Sequence, residues 1–474
     1  MKIIFRVSAL ATAVLVLAGC ASVNIDQTVQ DTNETSQAFT QGKLELSRTA
    51  QQQQARSALS ADLLAKPLSM DGAVQLALTN SPAVQTLLAQ GWADMAKANQ
   101  NGRIANPLFT FERVRFGDEL EIGRLLSFGL LDLLTLPRRI SIARGQIAQT
   151  KVQLTSSVVD QVTQVRQAWV RAVAAQQSLT YAGQVNTTAQ ASAELARRMQ
   201  QVGNFNKLQR ARQQVFYADA TAQLASSQHA ATAAREELTR LLGLTDEQAG
   251  QLKLPERLPD LPKEARQSAA VSATATEQRL DVQMARMQLD VAGKSQGLNL
   301  LTSLVDVELG IRRDTVFDNA AGTSTPRRGY ELGIRLPIFD WGSAKRDAMN
   351  AQSLAAANRY EGTVRGASSQ LRESYSAYRT AYDVAKHYRD EIVPLRKTMA
   401  EENVLRYNGM LIGVFELLAD TREQIASVMA AINAQQQFWL ADAGLSSSLI
   451  GKPMAMDAMP LSAGPFRAAQ GAGH

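Results

Sequence analysis

One short segment alternates apolar and polar residues, although most of the chain has the periodicity of long helices. The segment reads YELGIRLPI from Tyr330 to Ile338, and every second residue from Leu332 onward is leucine or isoleucine. A two-residue period over about nine residues is typical of a half-buried strand. Similar patterns occur just before it and in the first half of the chain. The sequence therefore predicts strands at residues 108–116, 119–130, 305–313 and 330–338, with a polar loop at residues 314–328 between the last two.

The chain contains an internal duplication. Three pairs of similar segments occur in the same order, the second member about 200 residues after the first. The pairs are NSPAVQ (80–85) with QRLDVQ (278–283), LEIG (120–123) with YELG (330–333), and VRQAW (165–169) with LRESY (371–375). This duplication predicts a pseudo-twofold protein. Its first repeat spans residues 68–243, a proline-rich connector spans 244–270, and the second repeat spans 271–449.

Two runs without strong helix breakers follow the strand pairs, at residues 140–201 and 343–407. Each covers about 60 residues, or ~90 Å of helix. In the first run Val158, Val162 and Val165 recur at three- and four-residue spacing, which gives an apolar stripe for a neighbouring helix. Pro394 is expected to kink the second run without ending it. Helices of this length must pack side by side in a bundle or a shared wall.

The N-terminal residues have the features of a bacterial lipoprotein signal. A short cationic start precedes an apolar run that is too short to span a bilayer, and the sequence LAGC follows. Cys20 is the only cysteine of the chain and has no disulfide partner. We therefore expect a signal peptide at 1–19, lipidation of Cys20 and an extended tether at 20–67. Residues 450–474 are expected to form a flexible tail.

The apolar face of the predicted strands needs a covering. A strand that crosses a bilayer has roughly 9–11 tilted residues with alternating faces. Four strands cannot close into a barrel, and an open edge in hydrocarbon leaves backbone groups unpaired. Copies of the chain would therefore pool their strands, ~8 in a dimer or ~12 in a trimer. The alternative is a small soluble sheet that caps a coiled coil.

Together these features resemble the TolC outer-membrane efflux family, in its lipoprotein branch. The resemblance rests on the lipobox, the duplicated helix–strand–strand–helix unit, and the segments ELGIRLPIFDWGSAKR and RYNGMLIGVFELLAD. It implies a mainly α chain with a membrane β-barrel portion, in which a homotrimer forms a 12-stranded barrel continuous with a long α-helical barrel. It also implies an outer-membrane exit duct that docks onto a periplasmic adaptor (membrane fusion) protein bound to an inner-membrane transporter.

The resemblance also implies site residues at the two helical turns. The residues expected to contact the adaptor are Gly203, Asn204, Phe205, Gly409, Met410, Leu411 and Gly413. Tyr407, Glu416 and Asp420 are expected at a pore gate. The chain departs from the family at Gln209 and Ala419, where acidic residues are usual, and at Ile412, where an arginine is usual.

Polar residues occur where the predicted strands meet the long helices, and we expect them to cap the helices or to contact lipid. Asp340 and Ser343 suit helix N-caps. Four cations near the same junction suit contacts with lipid headgroups, although a solvated helix start accounts for them equally well: Arg138, Arg139, Lys345 and Arg346.

The sequence supplies no catalytic or metal-binding pattern. His229, His387 and His474 are isolated, and no cofactor is expected. The net charge of +6 is spread along the chain without a basic block, so a nucleic-acid partner is not indicated. A periplasmic coiled-coil structural lipoprotein and the exit duct of a type I secretion system stay open as alternatives. The sequence does not identify the exported substrate.

Overall fold

The computed structural model describes residues 24–267, 279–302, 306–335 and 338–451. Its first half contains α1 (Ile25–Thr40), α2 (Ala50–Leu64), α3 (Met70–Asn80), α4 (Pro82–Asn101), β1 (Leu108–Phe116), β2 (Glu119–Gly129), α5 (Leu130–Gln201), α6 (Lys207–Leu242) and α7 (Asp246–Gln251). Its second half contains α8 (Leu280–Thr302), β3 (Asp306–Asp318), β4 (Thr323–Arg335), α9 (Ser343–His387), a π-helical turn (Tyr388–Ile392), α10 (Val393–Asn408) and α11 (Val414–Ile450).

The chain divides into two compact units. Of the described residues, the first comprises 24–59, 78–159, 279–302, 306–335 and 338–367 and contains the four strands. The second comprises 60–77, 160–267 and 368–451 and contains the turns that end α5 and α10.

The four strands form one antiparallel sheet in the order β1-β2-β3-β4. The pair β2–β3 joins the two copies of the duplication, with Leu126 opposite Ile311. Gly117, at φ 59°, lies in the short turn between β1 and β2. This left-handed conformation favours glycine, which has no Cβ to clash.

The second strand pair is longer than the sequence predicted. The expected loop at residues 314–328 is largely strand, because β3 continues to Asp318 and β4 begins at Thr323. Polar side chains made this stretch resemble a loop, yet the strand ladder uses only backbone groups. Asp318 also stabilises the actual turn, since its Oδ1 accepts from the N–H groups of Ala320 and Ala321. Residues 305, 336 and 337 of the predicted strands lie outside the described residues.

The expectation of an extended tether was wrong for residues 25–64, which are largely helical. Asn24 caps α1 by accepting from the N–H groups of Asp26 and Gln27. One face of α1 is buried and consists partly of hydroxyl residues: Ile25, Thr28, Val29, Thr32, Ser36 and Phe39. Thr32 and Ser36 donate to carbonyls one turn earlier, at 2.9 and 2.7 Å. Hydroxyls satisfied in this way tolerate burial, which is why a hydropathy pattern missed the helix.

Aromatic side chains of the second unit hold the proline-rich connector. Trp439 Nε1 donates to the Pro259 carbonyl at 3.0 Å, and the Tyr382 hydroxyl donates to the Lys263 carbonyl at 3.0 Å. Phe438 is 1% exposed and lies between Tyr382 and Trp439, with ring centroids at 5.8 and 5.1 Å. At Pro259 and Lys263, which lie outside α7, aromatic side chains therefore satisfy the carbonyls that no helix or strand ladder uses.

The second long helical run changes geometry close to its proline. The π-helical turn Tyr388–Ile392 directly precedes α10, in which Pro394 lies in the first turn. Proline lacks the N–H that an α-helical ladder requires, and a π turn is one way in which helices absorb such a break.

The two residues predicted as helix N-caps, Asp340 and Ser343, have different positions in the structure. Ser343 is the first residue of α9, and Asp340 Oδ1 accepts from the Gly342 N–H at 2.8 Å.

Candidate functional site

The sheet has two chemically different faces, which follow from its regular register. The apolar face carries large hydrophobic residues and arginines: Phe109, Phe111, Arg113, Arg115, Leu120, Ile122, Arg124, Leu126, Phe128, Val307, Leu309, Ile311, Arg313, Thr315, Phe317, Ser324, Pro326, Arg328, Tyr330, Leu332 and Ile334. The charged face carries carboxylates on all four strands: Glu112, Glu119, Glu121, Glu308, Asp314, Asp318 and Glu331.

The large hydrophobic residues of the apolar face are exposed or half-buried in the single chain. Phe109 is 60% exposed, Tyr330 is 87% exposed and Leu332 is 58% exposed. The charged face is internally paired, since Arg312 contacts Asp314 at 2.9 Å and Glu112 at 3.3 Å. An exposed apolar face of this size indicates a lipid or protein partner.

The sheet is open on both sides. Within the described residues β1 pairs only with β2, and β4 pairs only with β3. The outer edges of β1 and β4 therefore present unpaired backbone groups, which act as templates for further strands.

The first helical turn joins α5 to α6. Gly203 adopts a φ of 82°, and the Asn204 N–H donates to the Met199 carbonyl at 2.9 Å, which closes the end of α5. Phe205 is only 7% exposed, so its side chain packs within the turn, and its expected contact with an adaptor stays a prediction. Val202 and Leu208 provide the exposed apolar surface instead.

Gln209 has a structural role that the sequence interpretation missed. It forms a capping box with Asn206, in which each side chain accepts from the other residue's backbone N–H at 2.8 Å. The signal was present in the sequence, because Asn at the N-cap and Gln three residues later form this pattern. The amide therefore stabilises the start of α6 at the position where the family has an acid.

The second helical turn joins α10 to α11. Met410 takes the left-handed conformation here, with a φ of 58°, whereas Gly409 has a φ of −81°. Met410 is 92% exposed and Leu411 is 73% exposed, while Ile412 is buried. Gly413 precedes α11 as its N-cap and offers no side-chain cap. The second turn therefore projects two apolar side chains into solvent.

The three expected gate residues lie on this second hairpin. Tyr407 is in the last turn of α10 and is 40% exposed. Glu416 is exposed in the first turn of α11, and Asp420 follows one turn later and is half-buried, with Ala419 exposed between them. No hydrogen bond joins Tyr407 to Glu416 or Asp420 in the part of the chain that the structure describes. Each chain thus contributes one exposed Glu416 carboxylate at the start of α11.

Arg422 joins the two hairpins and was not singled out from the sequence. It lies in α11, and its guanidinium is 4.4 Å from the centre of the Phe216 ring in α6. It also donates to Gln213 Oε1 at 3.2 Å. Burial is the main reason that the pKa of Arg422 is lowered. Neither residue type nor spacing identifies this pair, because its members are about 200 residues apart and meet only in the folded chain.

A cluster of charges precedes the first turn. Glu194 accepts hydrogen bonds from Arg197 and Arg198, each at 2.8 Å. These bonds lower the pKa of the exposed Glu194 carboxyl to about 2. The carboxylate is therefore charged throughout the physiological pH range.

Arg139, one of the cations expected at lipid headgroups, is engaged within the first unit. It contacts Asp132 at 2.8 Å and donates to the Asn101 and Arg103 carbonyls at 3.2 and 3.1 Å. It also lines a cavity of about 380 Å³ together with Lys345. These contacts favour a structural role for Arg139.

Two of the sequence predictions concern residues that the structure does not describe. Cys20 and the tail from residue 452 lie outside the described residues. Where the chain is described, no three His, Cys, Asp or Glu side chains group as metal ligands would. None of the described helices combines the length and apolar composition that a membrane crossing requires.

Solved structures with the same fold are outer-membrane channels and related membrane proteins. The Campylobacter jejuni CmeC outer membrane channel matches with a TM-score of 0.69 and 14% identity, over 82% of this chain and 87% of that one. A membrane protein from Pseudomonas aeruginosa matches with a TM-score of 0.67 and 19% identity, over 80% and 93% of the two chains. The open Neisseria gonorrhoeae MtrE outer membrane channel matches with a TM-score of 0.63 and 19% identity, over 81% and 89%.

These likenesses confirm the fold class that the sequence predicted. No protein-family model matches the sequence, and no curated protein matches it.

Proposed function

We propose that this chain, which has the fold of the TolC-like outer-membrane channels, assembles as a homotrimer that forms the exit duct of a tripartite efflux system. Three sheets close into one barrel of ~12 strands in the outer membrane, and the long helices line a duct in the periplasm. A periplasmic adaptor and an inner-membrane transporter complete the route for small molecules or ions. Lipid on Cys20 anchors each chain to the same membrane.

The open sheet is the observation that carries this proposal. Its exposed apolar face suits lipid, and its two free edges need partner strands, because unpaired backbone groups in hydrocarbon cost several kcal/mol each. A closed barrel of ~8 strands is filled by its own side chains, whereas a larger barrel leaves an opening. A duct therefore favours three chains over two.

The helical turns support docking of an adaptor. Met410 and Leu411 at the second turn and Val202 at the first are more than two-thirds exposed. Exposed apolar side chains beside flexible turn backbones are typical of protein contact sites. The adaptor surface in this proposal consists of Gly203, Asn204, Gly409, Met410, Leu411 and Gly413.

Glu416 forms the gate in this assembly, together with Tyr407 and Asp420. Three exposed Glu416 carboxylates near the trimer axis create a ring that favours cations. Glu416→Gln is expected to lower the cation preference of the pore about fivefold, the factor that one unit charge at ~4 Å provides in water. Reversal potentials in a salt gradient across a planar bilayer measure this preference.

Glu423→Gln is the matched control for that measurement. Glu423 lies on the same helix two turns after Glu416 and pairs with Arg396 at 2.6 Å, so Glu423→Gln removes the same charge away from the three gate residues. The control is expected to keep the wild-type reversal potential. An unchanged potential in Glu416→Gln trimers would remove Glu416 from the gate.

Two alternatives make different predictions. A periplasmic coiled-coil lipoprotein leaves the apolar face of the sheet without a covering, which the exposure of Phe109 and Tyr330 disfavours. The exit duct of a type I secretion system is the same channel with a different pump. The two kinds of export are distinguished by the transporter that copurifies with the cross-linked chain.

Assembly and pore formation test the proposal directly. The full-length protein, extracted from outer membranes in detergent, is expected to have the mass of three chains by light scattering and to form pores in planar bilayers. Mass spectrometry of the mature N-terminus is expected to find lipid on Cys20. A monomer that forms no pores would contradict the proposal, whether or not Cys20 carries lipid.

A further inference from the structure

The apolar face of the sheet carries uncompensated positive charge. It contains five arginines and, within the described strands, no carboxylate: Arg113, Arg115, Arg124, Arg313 and Arg328. The opposite face carries the carboxylates together with three arginines, Arg312, Arg327 and Arg335. Arg312 contacts Asp314 and Glu112 there. The apolar face thus carries only positive charge, whereas the opposite face mixes both signs.

Three of these arginines form a single row across the sheet. Arg124 in β2 is directly opposite Arg313 in β3, and Arg313 is directly opposite Arg328 in β4. We call them the arginine row. Directly opposite side chains have Cβ atoms about 5 Å apart, and like charges at such positions destabilise a sheet. The row is therefore costly unless an external anion neutralises it.

The side chains of the arginine row are available to such an anion. All three are exposed. Among the described residues none of them forms an ion pair. Beyond the row, towards the turns of the sheet, Arg113 and Arg115 add two more exposed cations on the same face.

The row lies directly beside the hydrophobic part of the apolar face. The neighbouring row consists of Phe109, Leu126, Ile311 and Tyr330, and the rows beyond it towards the helices are also hydrophobic. From Arg328 to Ile334 the strand rises about 20 Å, or ~15 Å in height at the usual barrel tilt. Exposed Tyr330 beside the row, and Trp341 beyond the helix end of β4, suit the aromatic girdles at the two membrane interfaces.

We propose that the arginine row binds the phosphate groups of an anionic lipid headgroup in the outer leaflet of the membrane. This inference rests on the proposed function, in which the helices that follow β2 and β4 lie in the periplasm. The row lies towards the opposite end of these strands and therefore on the side facing away from the periplasm. The acyl chains of the same lipid lie along the hydrophobic rows. The row thus fixes the depth of the barrel in the bilayer and binds its surrounding lipid.

A phosphate-bearing lipid fits the row better than a soluble anion does. The guanidinium group binds phosphate through paired N–H donors, and three adjacent groups match a headgroup that carries more than one phosphate. A soluble anion uses only the row, whereas a lipid also covers the hydrophobic rows next to it. The lipid therefore satisfies both features of the apolar face.

Lipid titration of the full-length trimer tests this inference. The probe is lipid A, whose sugar headgroup carries phosphates, and bound lipid is counted by native mass spectrometry. Phosphatidylcholine is the uncharged comparison. Arg328→Gln is expected to weaken lipid A binding about fivefold per site, and the Arg124→Gln, Arg313→Gln, Arg328→Gln triple variant about a hundredfold.

Arg327→Gln is the matched control. Arg327 precedes Arg328 on the same strand and is also exposed, but it lies on the charged face. Its substitution removes the same charge as Arg328→Gln. It is expected to bind lipid A as the wild type does. Equal weakening by Arg327→Gln and Arg328→Gln, or no weakening by Arg328→Gln, overturns the inference.

Two further readouts separate the outcomes. If inorganic phosphate displaces lipid A, the row is a soluble-anion site and the lipid assignment is wrong. Trimer mass and pore conductance are measured on the same samples. Wild-type trimers that conduct but do not prefer lipid A over phosphatidylcholine contradict this inference alone, whereas the absence of trimers and pores contradicts the proposed function and this inference with it.

Discussion

Phe438→Ala is expected to lower the melting temperature of the purified protein by roughly 8 °C. Truncation of a buried phenylalanine costs about 4 kcal/mol, and each kcal/mol corresponds to about 2 °C in a large domain. Phe438 is 1% exposed, and its ring contacts Tyr378, Tyr382 and Trp439. Its loss leaves a cavity among the side chains that hold the connector. Circular dichroism at the helical band during heating measures the change.

Trp439→Phe is the control that separates packing from hydrogen bonding. It keeps an aromatic ring beside Phe438 and removes the donor to the Pro259 carbonyl, at 3.0 Å. The expected cost is about 1 kcal/mol, and hence a shift of about 2 °C. A Phe438→Ala shift as small as that of Trp439→Phe would show that the aromatic cluster does not organise the second unit.

In the proposed trimeric channel, Arg422→Ala is expected to favour the open form of the pore about 30-fold. The contact of Arg422 with Phe216 holds α11 beside α6, and a partly desolvated cation–π contact contributes about 2 kcal/mol. Loss of about 2 kcal/mol from one form shifts a two-state equilibrium about 30-fold. Single-channel recordings measure the open probability, and light scattering confirms that the trimer is intact.

Glu423→Gln is again the neighbouring control. It removes the contact with Arg396, which links α10 to α11 within one hairpin, and leaves the contact between the two hairpins intact. Its open probability is expected to match the wild type. If Arg422→Ala recordings match the wild type as well, the contact with Phe216 does not hold the pore closed.

Local patterns were sufficient to predict the class of the fold. The alternation in YELGIRLPI and the repeated segments led to a duplicated chain with four strands, and solved structures of outer-membrane channels share that fold. The same patterns were insufficient for element ends. Residues 314–328 were assigned to a loop because they are polar, although the register of β2 extends strand pairing to Asp318.

Some of the candidate-site residues were predictable from the resemblance of the helical turns to the family. Resemblance placed Met410 and Glu416 on the second hairpin, where the structure has both exposed. It did not indicate the burial of the Phe205 side chain, which depends on how the turn folds back on α5. It also missed Arg422, because no local pattern indicates that a cation in α11 meets a ring in α6.

The sequence by itself determined the four strands and the two long helical runs, since a period of two or of 3.6 residues is encoded by near neighbours in the chain. Only the tertiary structure decided which side chains face each other. The burial of one face of α1 depends on the elements packed against it, and the arginine row depends on the register of three strands. A shift of one residue in that register would move every arginine of a strand to the opposite face, so the charge separation of the sheet exists only once the strands have paired.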